Sequence, residues 1–314
     1  MSLDAQPVAD AFGLGRAESL SEPVARGELG QVRRLVTDQG TWAVKESFEP
    51  YDEQELVAAR ISGAFHVACW EAGIPTPEPR TVDGRFVVEV DGEQLQAFGW
   101  VDLEDPETGL DPVEVGTLLA ALHAVRRPAP DPVHQWFEAP VGPREWKGVL
   151  KSCRGAGAPY ADRLAELLPH LLAVEEILIP MAARQMCHLD LWSDNVRRRA
   201  SDGTACVIDF DNAGAADPSR EVAMVVFEFG QDDAARQRAV YDAYRDAGGP
   251  GRVTAREDFA MTVAQLHHIG HRHLRMWVSA RDPQSRARSL AGIEEFLGEP
   301  FLLPDIDRTL AAVT

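Results

Sequence analysis

The hydrophobic pattern changes period once along the 314 residues, at the stretch DLEDPETGLDP, residues 102–112, and that change narrows the fold more than any other feature. Upstream, apolar and polar residues alternate. GELGQVRRLVTDQGTWAVKESF reads as two antiparallel strands at about residues 31–36 and 41–47, turned at Asp38 and Gly40. RFVVEV and LQAFGWV read as a second hairpin around Asp91-Gly92. Between the hairpins, DEQELVAARISGAFHVACWEAG opens on acids, carries Leu56, Ala59, Phe65, Val67 and Cys69, and stops at Gly73 before IPTPEP, as a helix does. Downstream the spacing becomes helical. VEVGTLLAALHAV places Val115, Leu118, Leu119 and Leu122 on one face, ADRLAELLPHLLAVEEIL is similar, and further helices are expected at about 220–229, 234–247, 256–280 and 283–296. Clustered acids, two prolines and a glycine mark the boundary. A strand-rich lobe over 1–101 is therefore expected to precede a helix-rich lobe over 102–314, without internal repeats.

The length suits two unequal lobes. No apolar run approaches the roughly 18 residues of a membrane helix, and MSLDAQPVADAFG lacks a basic segment followed by an apolar one, so a cytoplasmic protein without a membrane partner is expected. Cys69, Cys153, Cys187 and Cys206 form no C-x-x-C pair, which points to reduced thiols rather than a zinc or disulfide framework. A net charge of −19 argues against nucleic acid as a partner and would attract a cationic small molecule.

The chemistry concentrates in CHLDLWSDNV, residues 187–196. Just downstream, VRRR and ACVID flank ASDGT, a hairpin signal that puts Asn195 and Asp209 at the open end, where facing residues are about 5 Å apart. An amide oxygen and a carboxylate are hard ligands that suit Mg²⁺. Asp190, five residues before Asn195, is placed to accept a proton from a hydroxyl nucleophile. His188, grouped with Asp190 in the catalytic loop, suits a buried histidine that holds the loop by hydrogen bonds. Of three lysines, Lys45, Lys147 and Lys151, only Lys45 ends a strand with a small residue, Ala43, on its own face, so that its ammonium can reach phosphates. Gly27 and Gly30 lie at the turn that would cover them. Asp194 and Asp211 read as local turn acceptors. In LHHIGHRHLRMW, His267 and His271 share a helical face, yet no acidic or cysteine third ligand accompanies them, so no metal site is expected. These residues and Trp277 read as the border of an acceptor pocket or as surface and core. The acidic run from Asp102 to Glu114 reads as a solvated loop.

HLDLWSDN followed by VIDFD, with AVK upstream and LLAALHAV in the first large helix, resembles the aminoglycoside phosphotransferase family of protein-kinase-like small-molecule kinases, over about residues 27–229. The resemblance implies an α+β bilobal protein-kinase-like fold, with a small β-rich N-terminal lobe holding one main helix, a larger helical C-terminal lobe, and ATP between them. It implies Asp190 as the catalytic base and Asn195 and Asp209 as Mg²⁺ ligands. Lys45 would lie on the α- and β-phosphates, paired with Glu55 or its competitor Glu53, and a backbone hinge at Gly99, Trp100 and Val101 would contact adenine. Leu189 stands where relatives commonly have glycine and Trp192 where many have a small or polar residue, which implies a bulkier pocket. Glu221 stands where an aspartate often anchors the catalytic loop.

The expected activity is ATP- and Mg²⁺-dependent transfer of the γ-phosphate to a hydroxyl of a small molecule, with an aminoglycoside-like antibiotic as the leading acceptor. A metabolic acceptor such as choline, homoserine or a sugar is the close rival, and a nucleotide-binding pseudokinase is the rival of another class. Too little chain separates IDFDNAG from ADPSRE for the activation segment of a protein kinase. The acceptor pocket is expected from residues 131–160 and the C-terminal helices, where Trp136, Trp146 and Tyr160 would stack on sugar rings or serve as core.

Overall fold

The structure, a computed structural model, describes residues 3–27, 30–129, 133–180 and 184–314. The chain forms two compact units, residues 1–110 with 190–214, and residues 111–189 with 215–314. The first unit opens with α1 (Ala5–Phe12), β1 (Ala17–Leu20), β2 (Ala25–Arg26), β3 (Gly30–Thr37), β4 (Gly40–Ser47), α2 (Glu53–Glu71), β5 (Val88–Val90) and β6 (Glu93–Gly99). The strands form one antiparallel sheet in the order β1-β3-β4-β6-β5, with β2 also on β3. The two expected hairpins are present, and Asp91 and Gly92 both take positive φ, as a two-residue turn of this hand requires.

Alternation along β4 decides which side chains serve the core. Trp42 and Val44 are buried against Leu35, Leu95 and Ala97 under Val8, Ala9 and Phe12 of α1, while Ala43 and Lys45 lie on the opposite face. Helix α1 itself was not foreseen: its eight residues are too few for periodicity to declare them. Helix α2 starts on a capping box, with Asp52 accepting from the amides of Gln54 and Glu55 and the Glu55 carboxylate accepting from Asp52 N.

The second unit contains α3 (Pro112–Ala124), α4 (Gly142–Gly155), α5 (Ala161–Glu175) and β7 (Gln185–Cys187). The chain then supplies the first unit with the hairpin β8 (Val196–Arg198) and β9 (Ala205–Val207). It returns through β10 (Gly214–Ala216) to α6 (Pro218–Gly230), α7 (Ala234–Asp246), α8 (Ala260–Ser279), α9 (Pro283–Gly298) and α10 (Leu303–Val313). Helix α4 lies within the stretch 131–160 that was expected to supply the acceptor pocket. Trp146, Val149, Leu150 and Cys153 form an i, i+3, i+4, i+7 stripe that is buried with Leu164, Leu167 and Leu171 of α5 and Leu274 and Trp277 of α8. Trp146, Tyr160 and Trp277 are thus core. Asp131 lies outside the described residues. The four cysteines are free and buried, and no described helix is long and apolar enough to cross a membrane.

The acidic run is exposed, as expected, and is tied to the β8–β9 hairpin. Glu104 N donates to Arg198 O, Ala200 N donates to Asp102 O, and Arg198 pairs with Glu107 at 2.9 Å, so the arginines beside β8 neutralise part of the run.

Two helical glycines oppose each other as tests of packing. A Cβ on Gly116 would strike Val240 O, and Tyr244 N at 2.8 Å, where α3 meets the backbone of α7, whereas one on Gly148 of α4 would meet nothing within 4 Å. Gly116→Ala should lose about 1–3 kcal/mol through overpacking despite better helix propensity. Gly148→Ala should gain roughly 0.5–1 kcal/mol. Urea unfolding of the two variants should give midpoints on opposite sides of the parent's.

Candidate active site

In the first unit, the chain leaves β9, closes the hairpin with Ile208 N donating to Asn195 O at 2.9 Å, and turns sharply at Asp209, whose φ is +58°. A single 3₁₀ turn, Phe210–Asn212, follows. Its position is set by Phe210, which is buried and stacked on the His66 ring at 4.1 Å and 4°, while His66 Nε2 lies 2.8 Å from Thr76 Oγ1. This turn carries Asp209 and Asp211 to Lys45. The ammonium donates to Asp209 Oδ1 at 2.8 Å and to Asp211 Oδ2 at 2.7 Å. Burial acts to lower the Lys45 pKa, but the Asp211 and Asp209 carboxylates outweigh it and hold the amine well above its ordinary value, so it stays charged. Burial and the Asp211 charge likewise push the nearby Tyr51 phenol up to about 12.

Lys45 pairs with these two aspartates and not with Glu55 or Glu53. The expected Lys45–Glu55 pair is thus corrected: the Glu55 carboxylate is committed to the first turn of α2, where it caps Asp52 N.

Asp190 meets two amides. Asn195 Nδ2 donates to both Asp190 O and Asp190 Oδ2 at 2.9 Å, and Asn212 Nδ2 donates to the same Oδ2 at 3.1 Å. The structure therefore gathers Lys45, Asp209 and Asp211 into one cluster and Asp190, Asn195 and Asn212 into another. Asp211 and Asn212 were missed as site residues. Their signal was the D-x-D-N spacing that begins at Asp209, whose left-handed turn the sequence alone does not reveal.

The glycine turn is partly described: Gly27 N donates to Gly30 O at 2.9 Å, and residues 28 and 29 lie outside the described residues. Gly30 has a packing reason of its own, since a Cβ there would come 2.6 Å from Glu46 O on β4. At the end of β6, Gly99 N donates to Glu78 O at 2.7 Å and Trp100 N donates to Thr41 O at 3.0 Å.

In the second unit, the segment before Asp190 is held by a buried relay. Gly251 N donates to the Tyr244 hydroxyl at 2.7 Å, that hydroxyl lies 2.7 Å from His123 Nδ1, and His123 Nε2 lies 2.7 Å from Glu221 Oε2. One assignment of protons makes every link donor to acceptor: Tyr244 donates to Nδ1 and His123 donates to the carboxylate. The other oxygen of Glu221 accepts from Leu189 N, and Gln265 Nε2 donates to Leu189 O at 2.6 Å. Glu221 thus performs the anchoring expected of the aspartate in relatives. Leu189 has φ +68°, a left-handed conformation in which glycine is unstrained, which gives a physical reason for glycine in relatives. His188 and Cys187 are fully buried, and burial followed by the Glu221 charge holds the Cys187 thiol protonated.

The histidine-rich helix also needs correction. His267 does have an acidic partner, Glu175 of α5, at 2.9 Å, but that carboxylate is filled by Trp146 Nε1 and the amides of Val141 and Gly142. It is a buried structural acceptor. Half-buried Trp136 stacks on His268 at 5.5 Å and 10°, with the Arg272 guanidinium 5.9 Å from its ring.

Burial acts to raise the Glu221 carboxyl, but the hydrogen bond from His123, with His188 and Leu189 N, takes it below its ordinary value. Its stabilisation is therefore full above the unfolded carboxylate range near pH ~4.3 and is lost as pH falls through the folded value. Glu221→Gln should cost about 3 kcal/mol at pH 7. The gap from the parent, read from urea unfolding at a series of pH values, should narrow at acid pH.

The sequence pattern of the phosphotransferase enzyme family matches residues 21–258. Spectinomycin phosphotransferase, crystallised in complex with ADP and spectinomycin, shares the fold at a TM-score of 0.65, with 12% identity and 99% of each chain covered. An aminoglycoside phosphotransferase from Alicyclobacillus acidocaldarius does so at 0.60, with 17% identity over 97% of this chain and 96% of its own. A choline/ethanolamine kinase family protein from Mesorhizobium loti does so at 0.53, with 16% identity over 98% of both. Among curated proteins, none matches the sequence. The family match spans well over half of the chain and establishes that the chain belongs to the phosphotransferase enzyme family.

Proposed function

We propose that this phosphotransferase moves the γ-phosphate of ATP, with Mg²⁺, to a hydroxyl of an aminoglycoside-like small molecule. The observation that carries the reading is the double cluster in the first unit: an ammonium held by two carboxylates, beside a third carboxylate oriented by amides. In this reading the strand-rich residues 1–101 bind nucleotide and residues 102–314 supply the catalytic loop and the acceptor site. Lys45 takes the α- and β-phosphates, and the turn at Gly27 and Gly30 covers them. The Gly99 and Trp100 amides are already bonded to Glu78 and Thr41, so adenine contacts fall to their carbonyls and to Val101.

The donor set fits Mg²⁺. Asp209 and Asp211 already bring two carboxylate oxygens to a cation, the Lys45 ammonium, and Asn195 spends its amide nitrogen on Asp190, which leaves a hard amide oxygen for a metal. Asn195 and Asp209 would hold the ion, with Asp211 beside them. When bound, it supplies neutralisation of the phosphate charge.

Asp190 accepts the proton of the acceptor hydroxyl as that oxygen bonds to the γ-phosphorus. The bond from that phosphorus to the bridging oxygen breaks, and ADP leaves with the electron pair. His188, fully buried, supports the loop. Catalysis is chiefly alignment and charge compensation.

A cationic antibiotic acceptor is supported by the net charge of −19 and by the fold shared with spectinomycin phosphotransferase. The fold shared with a choline/ethanolamine kinase family protein favours, as the second reading, a metabolic alcohol.

ADP release with ATP and Mg²⁺ should be stimulated by one member of a panel of aminoglycosides, other hydroxylated antibiotics, amino alcohols and sugars. Asp190→Ala should reduce that rate by about 10²–10⁴-fold with ATP affinity kept. Loss of ATP binding instead would show that Asp190 has another role, and tight Mg-ATP binding without turnover on any acceptor would favour a pseudokinase.

A further inference from the structure

We infer that Asn212 is a positioning residue of the phosphotransfer, closing with Asn195 a two-amide clamp on a single oxygen of the Asp190 carboxylate. The inference rests on the reading of Asp190 as the base. Asn195 lies five residues after Asp190, and its one amide nitrogen reaches both the backbone oxygen and Oδ2 of Asp190, at 2.9 Å each. It therefore ties the carboxylate to its own backbone. Asn212 arrives from a different element, the 3₁₀ turn beyond β9, and donates to the same Oδ2 at 3.1 Å. With donors from two segments on one oxygen, rotation of the carboxylate about its last bond breaks at least one hydrogen bond to a charged acceptor.

The local structure supports a role in aim over one in packing. Asn212 is exposed, and this is the one side-chain hydrogen bond it makes among the described residues. Its turn is rigidly seated, because Phe210 is buried on His66 and the neighbouring Asp211 is bonded to Lys45. One short turn thus delivers Asp211 to the phosphate-binding lysine and Asn212 to the base, so the two clusters share a common support. A neutral donor is also what the position demands. Asp190, Asp209 and Asp211 already place three carboxylates around it, and a further anion at 212 would repel the carboxylate that the amide now holds.

Two variants separate aim from space-filling. Asn212→Ala removes the donor, and Asn212→Asp keeps the shape while replacing the donor by a like charge. The clamp predicts that kcat for the acceptor falls roughly tenfold in the alanine variant, the loss expected for one hydrogen bond to a charged group. It predicts a larger fall in the aspartate variant, with KM for ATP and the thermal midpoint kept in both. A space-filling role predicts the reverse order, with the isosteric aspartate the milder change. Equal kcat in parent and both variants, or more activity in Asn212→Asp than in Asn212→Ala, overturns the clamp while leaving the kinase reading intact. Failure of the parent to phosphorylate any hydroxyl acceptor while binding Mg-ATP overturns the kinase reading, and the clamp with it.

Discussion

The Lys45 ammonium, held by Asp209 and Asp211 at 2.8 and 2.7 Å, joins segments 164 and 166 residues apart, and the first unit depends on it. Two carboxylates two residues apart on one turn repel each other, and burial acts to lower the lysine's pKa. Together they resolve both problems, since each carboxylate raises the amine's affinity for its proton. The pairing explains why the β8–β9 hairpin belongs to the strand-rich unit although residues 111–189, of the other unit, precede it in the chain. It also explains the left-handed φ of Asp209: without that bend, Asp209 and Asp211 would not face the same ammonium.

In the second unit the equivalent burden falls on one buried carboxylate. Glu221 spends one oxygen on His123 and the other on Leu189 N, and Gln265 takes the carbonyl of the same leucine. These three bonds hold a non-glycine residue at φ +68°, a conformation that costs an L-residue about 1–2 kcal/mol. Asp190 is the next residue in the chain. The Asp190 carboxylate is in turn held by the side-chain amides of Asn195 and Asn212.

Much of this was legible in the sequence because it is local. Hairpins β3–β4, β5–β6 and β8–β9 follow from period-two alternation around Asp and Gly, and α2, α3 and α6 to α9 from period 3.6. Lys45, Asp190, Asn195 and Asp209 were singled out by residue type and spacing, and each lies in one of the two clusters. What escaped is set by long-range packing or by special backbone angles. Glu55 was chosen as the lysine's partner, but the capping box it forms with Asp52 at the start of α2 claims its carboxylate. Asp211 looked like a turn acceptor, and Asn212 drew no reading, because the bend at Asp209 has no glycine to announce it. Glu175 meets His267 from 92 residues away, and α4 hid among Gly, Pro and charged residues although its buried stripe is regular.

The most direct test of the central claim is calorimetric titration of ATP with and without Mg²⁺ into the parent and into Asp209→Asn. If Asp209 with Lys45, Asp211 and Asn195 forms the nucleotide–metal site, Mg²⁺ should tighten ATP binding to the parent at least tenfold, and that gain should disappear in Asp209→Asn while metal-free affinity is kept or improved, because a repelling carboxylate has gone. Absence of ATP binding by the parent, or the same Mg²⁺ gain in both proteins, would contradict it.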